Sequence, residues 1–342
     1  MEFLSISPES LARAAEILNN GGLVAFPTET VYGLGADAFN PAALAKIFEA
    51  KRRPRFDPLI IHIASIQTLE KIADLSLLDT PARDKLYLLA ENLWPGPLSL
   101  VLPKREIISG LATGGLPTLA VRFPDHTAAL ELIRLSSGAV AAPSANPFGY
   151  LSPTRAEHVR DMLGEKADII LDGGPARIGV ESTVLDLSTE NIRLLRPGGT
   201  PREAIENLIG PVHTGPLTAG NEAEIKSGLV SPGQLKSHYA PCAPLSAYSR
   251  EALIGLAAQT GSAFLFFDGA SRDAWLAAHQ GAQAEAVVRV LSEKGSLLEA
   301  AANLFETLHE LDSGEISRIA AQFAPEQGLG VAINDRLRRA AY

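Results

Sequence analysis

A single cysteine, Cys242, stands among 342 residues, so an internal disulfide is excluded. No Cys/His set has the clustered spacing of metal ligands. Positive charge is also scarce: 30 Lys and Arg face 39 Asp and Glu, for a net charge of −9. That balance argues against a chain that coats nucleic acid or anionic membrane through bulk charge, so any anion site must be local. No window reaches the roughly 18 uninterrupted apolar residues of a membrane span. The opening MEFLSISPES lacks the basic start and apolar core of a secretory signal. A cytoplasmic protein with no membrane association is expected. What is abundant is apolar residue, 46% of the chain, enough for sizeable cores, and the length favours two domains.

Ser7-Pro8-Glu9 reads as a capped helix start, with apolar residues at helical spacing until Gly21-Gly22. LVAFP, PLIIHI, LSLVL, TLAVRF, AVAAP, ADIILD, STVLDL and IRLLR read as strands. PAALAKIFEA, TPARDKLYLLAENLW, TAALELIRL, PTRAEHVRDML and PREAIENLIG read as helices. Elements mixed in this way indicate an α/β domain on a twisted mixed sheet with flanking helices, expected over residues 1–210. Residues 211–244, rich in Gly, Pro, Ser and Thr, read as an interdomain linker. Over residues 245–342 the periodicity resumes with a helix at EALIGLAAQ and a strand at SAFLFF. Helical stretches around AVVRVLSEKG and LLEAAANLFETLHELD, a strand RIAAQF and a last helix complete a smaller Rossmann-like α/β domain. It has no G-x-G-x-x-G, which argues against a dinucleotide site.

Four places carry candidate chemistry. PTETVYGLG groups Thr28, Glu29, Thr30 and Tyr32 beside two glycines, although an ordinary strand-to-helix turn would look the same. KRRPRFDPLIIHI packs four cations into five residues. Pro54 and Pro58 favour extended backbone before them, so Lys51 and Arg53 are expected on one side of an extended chain, as a clamp for a polyphosphate. His62, in the strand that follows, is a buried polar contact. APSANPFGYLSPT places Ser144 and Asn146 past a strand end, as neutral hydrogen-bonders. Ser152-Pro153-Thr154 then starts a helix whose amides would face an anion. Arg122 and Arg196, inside apolar strands, need a carboxylate, phosphate or cleft partner, and an internal salt bridge to Glu181 or Asp172 would also serve. No P-loop, Ser-His-Asp order or glycosidase-like carboxylate pair is present. Anion binders and neutral hydrogen-bonders remain, which suits a site that orients a charged nucleotide.

PTETVYGLG, K-x-R-P with PLIIHI, WPGPLSLVL, AVRFPDH, APSAN with SPT, ILDGG with GVESTV, and LLRPG occur in this order. Together they resemble the YrdC-like threonylcarbamoyl-AMP synthase family over about residues 8–205. HYAP and the terminal GLGVAINDRLRRAA extend the resemblance to the long form with an additional C-terminal domain. The resemblance implies a nucleotidyltransferase that joins L-threonine, bicarbonate or CO₂, and ATP with Mg²⁺ into threonylcarbamoyl-AMP and pyrophosphate. The product would pass to proteins that modify tRNA adenosine, with weak or indirect contact to tRNA itself. It implies Lys51 and Arg53 as catalytic cations. Asp57, Thr118, Ser144, Asn146, Ser152, Arg196 and Tyr239 join them on the ATP side. Thr28 or Thr30, His62, Arg122 and Ser182 hold threonine, and no residue binds a resident metal. Asp57 stands where the family often has asparagine, so Mg²⁺ or Arg55 is expected to offset its charge. The linker, with Tyr239, is expected to cover the site. The rival reading is a non-catalytic RNA-binding module with a basic concave face.

Overall fold

Ser7 caps α1 (Pro8–Asn19) as its sequence predicts. Its hydroxyl accepts from the Ser10 amide, the Ser10 hydroxyl accepts from the Ser7 amide, and proline holds the first helical position. Asn40 starts α2 (Pro41–Lys51) by accepting from the amides of Ala42 and Ala43. The protein, seen in a computed structural model, is described over residues 1–214, 239–279, 286–312 and 314–341. These fall into two units. The first comprises Met1–Phe148, Pro153–Ala176 and 181–214; the second comprises Gly149–Ser152, Arg177–Val180 and the described residues from 239 onward.

The first unit is built on eleven strands. In chain order they are β1 (Glu2–Ser5), β2 (Val24–Phe26), β3 (Gly33–Asp37), β4 (Ile60–Ile63), β5 (Leu98–Pro103), β6 (Thr118–Arg122), β7 (Ala139–Ala141), β8 (Ile169–Asp172), β9 (Thr183–Asp186), β10 (Arg193–Arg196) and β11 (His213–Thr214). Across the sheet they run β1-β8-β2-β3-β7-β4-β6-β5-β9-β10-β11, with parallel and antiparallel pairs mixed. Helices α3 (Ile66–Ile72), α4 (Thr80–Leu93), α5 (Thr127–Leu135), α6 (Ala156–Leu163) and α7 (Arg202–Ile209) flank it.

Strand register decides what each face carries. Ala141, Ile61, Val121, Leu100 and Leu185 lie opposite one another on successive strands, and all belong to one apolar core. One residue along, every side chain points to the other face. There the row reads Val140, His62, Arg122, Ser99 and Val184, with Arg196 opposite Val184 beyond a register shift in β10. Next to the row, Ile60, Ala120 and Val101 form a small apolar patch with Val184 of the row itself. The sheet therefore sets a line of polar groups on an apolar floor.

The second unit has four strands, β12 (Leu245–Tyr248), β13 (Ser262–Asp268), β14 (Ala286–Ser292) and β15 (Arg318–Gln322). Their order is β12-β15-β13-β14, with every pair parallel. Helices α8 (Arg250–Ile254), α9 (Gly269–Ala278), α10 (Leu297–Leu311) and α11 (Leu329–Ala340) accompany them. This is the Rossmann-like α/β class expected. Trp275 of α9 packs on Phe264 and Phe266 of β13, at centroid distances of 4.6 and 5.9 Å. Tyr239 and Ser152 both fall in this unit. Tyr239 is buried at φ +66°, tilted against Phe305 and beneath the Arg336 guanidinium. His309 Nε2 donates to the Ser152 carbonyl at 3.1 Å.

Several expectations need correction. AVVRVLS is not helical but strand β14, because its β-branched residues pair along β13. Helix α6 begins at Ala156 with Arg155 before it, so Ser152-Pro153-Thr154 is irregular loop outside the helix. The helix at EALIGLAAQ stops at Ile254 before Gly255. His213 and Thr214, placed in the linker, instead pair with β10 as an edge strand. Residues 215–238, with His238 and the expected cover, lie outside the described residues. Among the described residues no helix is long and apolar enough to cross a membrane.

Candidate functional site

Lys51 and Arg53 converge by a different route from the extended one expected. Lys51 is the last residue of α2, and Arg52 ends the helix in the left-handed region at φ 54°. That turn separates the four cations: Arg52 and Arg55 are exposed, whereas Lys51 and Arg53 turn inward and are buried. Lys51 Nζ donates to the Ser144 carbonyl at 2.6 Å and to the Asn146 carbonyl, tying the end of α2 to the loop after β7. Phe148 completes the tie, its amide donating to the Lys51 carbonyl. Arg53 donates to the carbonyls of Asp57 and Pro58, and its Nη2 lies 2.8 Å from Asp57 Oδ2. The charge of Asp57 is thus met by Arg53, not by Arg55.

Burial dominates the electrostatics here. It pushes Lys51 well below the usual lysine range, and neighbouring Arg53 adds to the effect while Asp57 opposes it. Burial pushes the Asp57 carboxyl up, against the pull of Arg53, Lys51 and Arg196. The influence of Arg196 on Asp57 links this loop to β10. Arg196 donates to the Ser182 carbonyl at 2.9 Å and to its hydroxyl at 3.1 Å, and Ser182 Oγ is 2.8 Å from Ser99 Oγ. Gly198 is needed beside this contact: a Cβ there would come within 2.4 Å of the Glu181–Thr183 backbone.

The PTET turn folds onto the polar row. Thr28 Oγ1 donates to the Val31 carbonyl and lies 2.9 Å from Thr30 Oγ1. Thr30 Oγ1 in turn accepts from Arg122 Nη1 at 2.8 Å. Thr30 is therefore the hydroxyl that meets the guanidinium, and Thr28 shapes the turn. The buried partner of Arg122 is Glu29, its Oε2 2.7 Å from Nη2; neither Glu181 nor Asp172 takes that place. His62 lies opposite Arg122 in the register, edge-on to Phe26 with centroids 6.1 Å apart.

His62 is held neutral. Burial and then the Arg122 charge push it down to about 3, against hydrogen bonds to the backbone of Ile60 and Val140. Between that value and the ordinary 6.5 the unfolded chain binds a proton that the folded one refuses. Stability is therefore expected to fall as pH drops below 6.5, by about 1.4 kcal/mol per pH unit from this group. Denaturant titrations at pH 6.5 and 5 should show a smaller loss in His62→Gln than in the parent; equal losses would remove this account of His62.

The structure gathers Thr28, Thr30, His62, Arg122 and Ser182 around the row, and Lys51, Arg53, Asp57, Ser144 and Asn146 around the end of α2. Arg196 bridges toward both. Thr118 opens β6 on the same face as Arg122, about 13 Å along the strand. Ser152 and Tyr239 belong to the second unit, as described above. One participant, Ser99, has no signal in the sequence, since it lies in an apolar run with nothing to single it out. Glu29 stands among the PTET hydroxyls as a candidate, but the sequence gives it no role.

Residues 16–198 match the family model for Sua5, YciO and YrdC, described as "Telomere recombination". Residues 200–342 match the model described as "Threonylcarbamoyl-AMP synthase, C-terminal domain". A threonylcarbamoyl-AMP synthase of Pyrococcus abyssi is 43% identical over 96% of this chain and 93% of its own. One of Bacillus subtilis is 42% identical over 99% and 94%. A crystal structure of P. abyssi Sua5 complexed with L-threonine superposes with a TM-score of 0.84 at 39% identity, covering 99% of this chain and 97% of that one.

Proposed function

The chain belongs to the Sua5/YciO/YrdC family, in the long form of the threonylcarbamoyl-AMP synthases with their C-terminal domain, and from that premise we propose how its residues act. The reaction joins L-threonine, bicarbonate or CO₂, and ATP into threonylcarbamoyl-AMP and pyrophosphate, for threonylcarbamoyladenosine formation in tRNA. The observation that best supports the residue assignment is the polar row itself. A guanidinium, a hydroxyl cluster and a neutral imidazole share one sheet face, and a buried Lys–Arg pair lies at the adjoining loop.

Arg122 with Thr30 receives the threonine carboxylate, and His62 and Ser182 supply neutral contacts for the rest of the amino acid. Lys51 and Arg53 face the triphosphate, with Ser144, Asn146, Asp57, Thr118 and Arg196 on the nucleotide side. Mg²⁺ arrives on the ATP phosphates and helps neutralise them. A polyphosphate beside Lys51 supplies the counter-charge that burial withholds, and so favours the protonated amine. Threonine's neutral amine adds to CO₂ with loss of a proton, or to bicarbonate with loss of water, and a carbamate oxygen attacks the α-phosphate and displaces pyrophosphate. The two cations stabilise the charge that develops there. A water-poor pocket protects the labile carbamate. The product passes to tRNA-modifying proteins. An RNA-binding module needs exposed cations along a face, whereas Lys51, Arg53, Arg122 and Arg196 are all buried.

Pyrophosphate release from ATP tests the reading. It should require L-threonine and bicarbonate together. Release at the same rate without threonine would refute it.

A further inference from the structure

Glu29 lies at the centre of the hydroxyl and guanidinium cluster without an assigned task. Its side chain is 1% exposed. Neither of its carboxylate oxygens receives an aligned hydrogen bond, although Oε2 is 2.7 Å from Arg122 Nη2. Arg122 Nη2 is likewise without an aligned acceptor. Burying a carboxylate this way is costly. A purely structural partner for Arg122 would be expected to settle into aligned, two-pronged geometry. The contact has instead the form of a placeholder, charge against charge.

We propose that Glu29 is the base that takes the proton from the amino group of threonine. This rests on the assignment of Arg122 to the threonine carboxylate. An α-amino acid carries its nitrogen about 3 Å from its own carboxylate oxygens. A substrate carboxylate seated on Arg122 therefore replaces Glu29 in the ion pair and sets its ammonium against the displaced side chain. One carboxylate exchanges for another, so the buried guanidinium is never left unpaired.

The proton balance closes. An N–H bond of the ammonium breaks as an O–H bond forms on Glu29, leaving a neutral amine. The amine's lone pair forms the N–C bond to CO₂, and the second proton on nitrogen leaves to water. Glu29 then releases its proton to solvent, so ammonium and CO₂ yield a carbamate and two protons. Among the described residues, Arg122 on β6 and His126 just before α5 face Glu29. His126 feels the carboxylate's charge, though burial holds it below the usual histidine range. His62 faces the same guanidinium from β4.

The test compares the full chain with Glu29→Gln, which keeps the size and polarity but cannot take a proton. With MgATP, L-threonine and a fixed CO₂ concentration, kcat for pyrophosphate release should fall roughly 10²-fold or more at neutral pH, in the range of general base catalysis. The threonine KM combines two opposed effects, loss of the ammonium's partner and loss of the competitor for Arg122, so kcat carries the test. The deficit should shrink as pH rises and solution supplies free amine. A kcat within threefold of the parent, or a deficit equal at every pH, would overturn the proposal. The parent alone gives a second reading that needs no folded variant. An enzyme that can use only free amine gains about tenfold in kcat/KM for threonine from pH 6 to 7. The parent, deprotonating its own substrate, should gain far less, and a tenfold rise would count against Glu29. If the parent shows no threonine-dependent release at all, the synthase reading itself fails, and that outcome is distinct from a normal parent with an unimpaired Glu29→Gln.

Discussion

Lys51→Ala is expected to lose about 10²–10³ in kcat/KM for ATP, the loss typical when a charge that stabilises a transition state is deleted. The effect has two sources in the structure. The ammonium is removed from beside Arg53, and the carbonyls of Ser144 and Asn146 lose the donor that joins their loop to α2. Lys51→Met separates them, because it keeps a long unbranched side chain without charge or donors. Both variants should show the kinetic loss while the threonine KM moves little. The melting temperature reports whether the tie also carries stability. Turnover near that of the parent in both would show that Lys51 is only a structural strut.

Arg122→Gln is expected to raise the threonine KM at least about 100-fold, since a fully desolvated charge pair to the substrate carboxylate is lost. It should also destabilise the protein by about 3–5 kcal/mol, because Glu29 is left buried without its cation. Combining it with Glu29→Gln should recover most of the stability and none of the threonine affinity. Denaturant unfolding and threonine titrations read the two effects separately. If the double variant also bound threonine normally, Arg122 would not be its carboxylate partner.

Local rules carried far where one interaction range decided the outcome. The Ser7 cap, the helix after it, the helix at PAALAKIFEA and the apolar strands follow from residues close together in the chain. AVVRVLS failed because its apolar spacing fits either period, and only pairing with β13 makes it a strand. The site residues were legible as types and positions, but their arrangement was not. Alternation along an extended chain was expected to align Lys51 with Arg53, whereas a left-handed Arg52 does so. The row of His62, Arg122 and Ser99 depends on three strands separated by dozens of residues, so only the sheet register reveals it. The Glu29 ion pair was hidden for the same reason, since its cation lies 93 positions away along the chain.

The central claim is that one face of this sheet holds threonine against ATP long enough to trap a carbamate. The most direct measurement is mass spectrometry of the adenylate formed from ATP, L-threonine and carbon-13 bicarbonate. Threonylcarbamoyl-AMP carrying the label in its carbamoyl carbon is expected from the parent, with little from Lys51→Ala or Arg122→Gln. An unlabelled threonyl adenylate, or labelled product formed equally well by both variants, would contradict it.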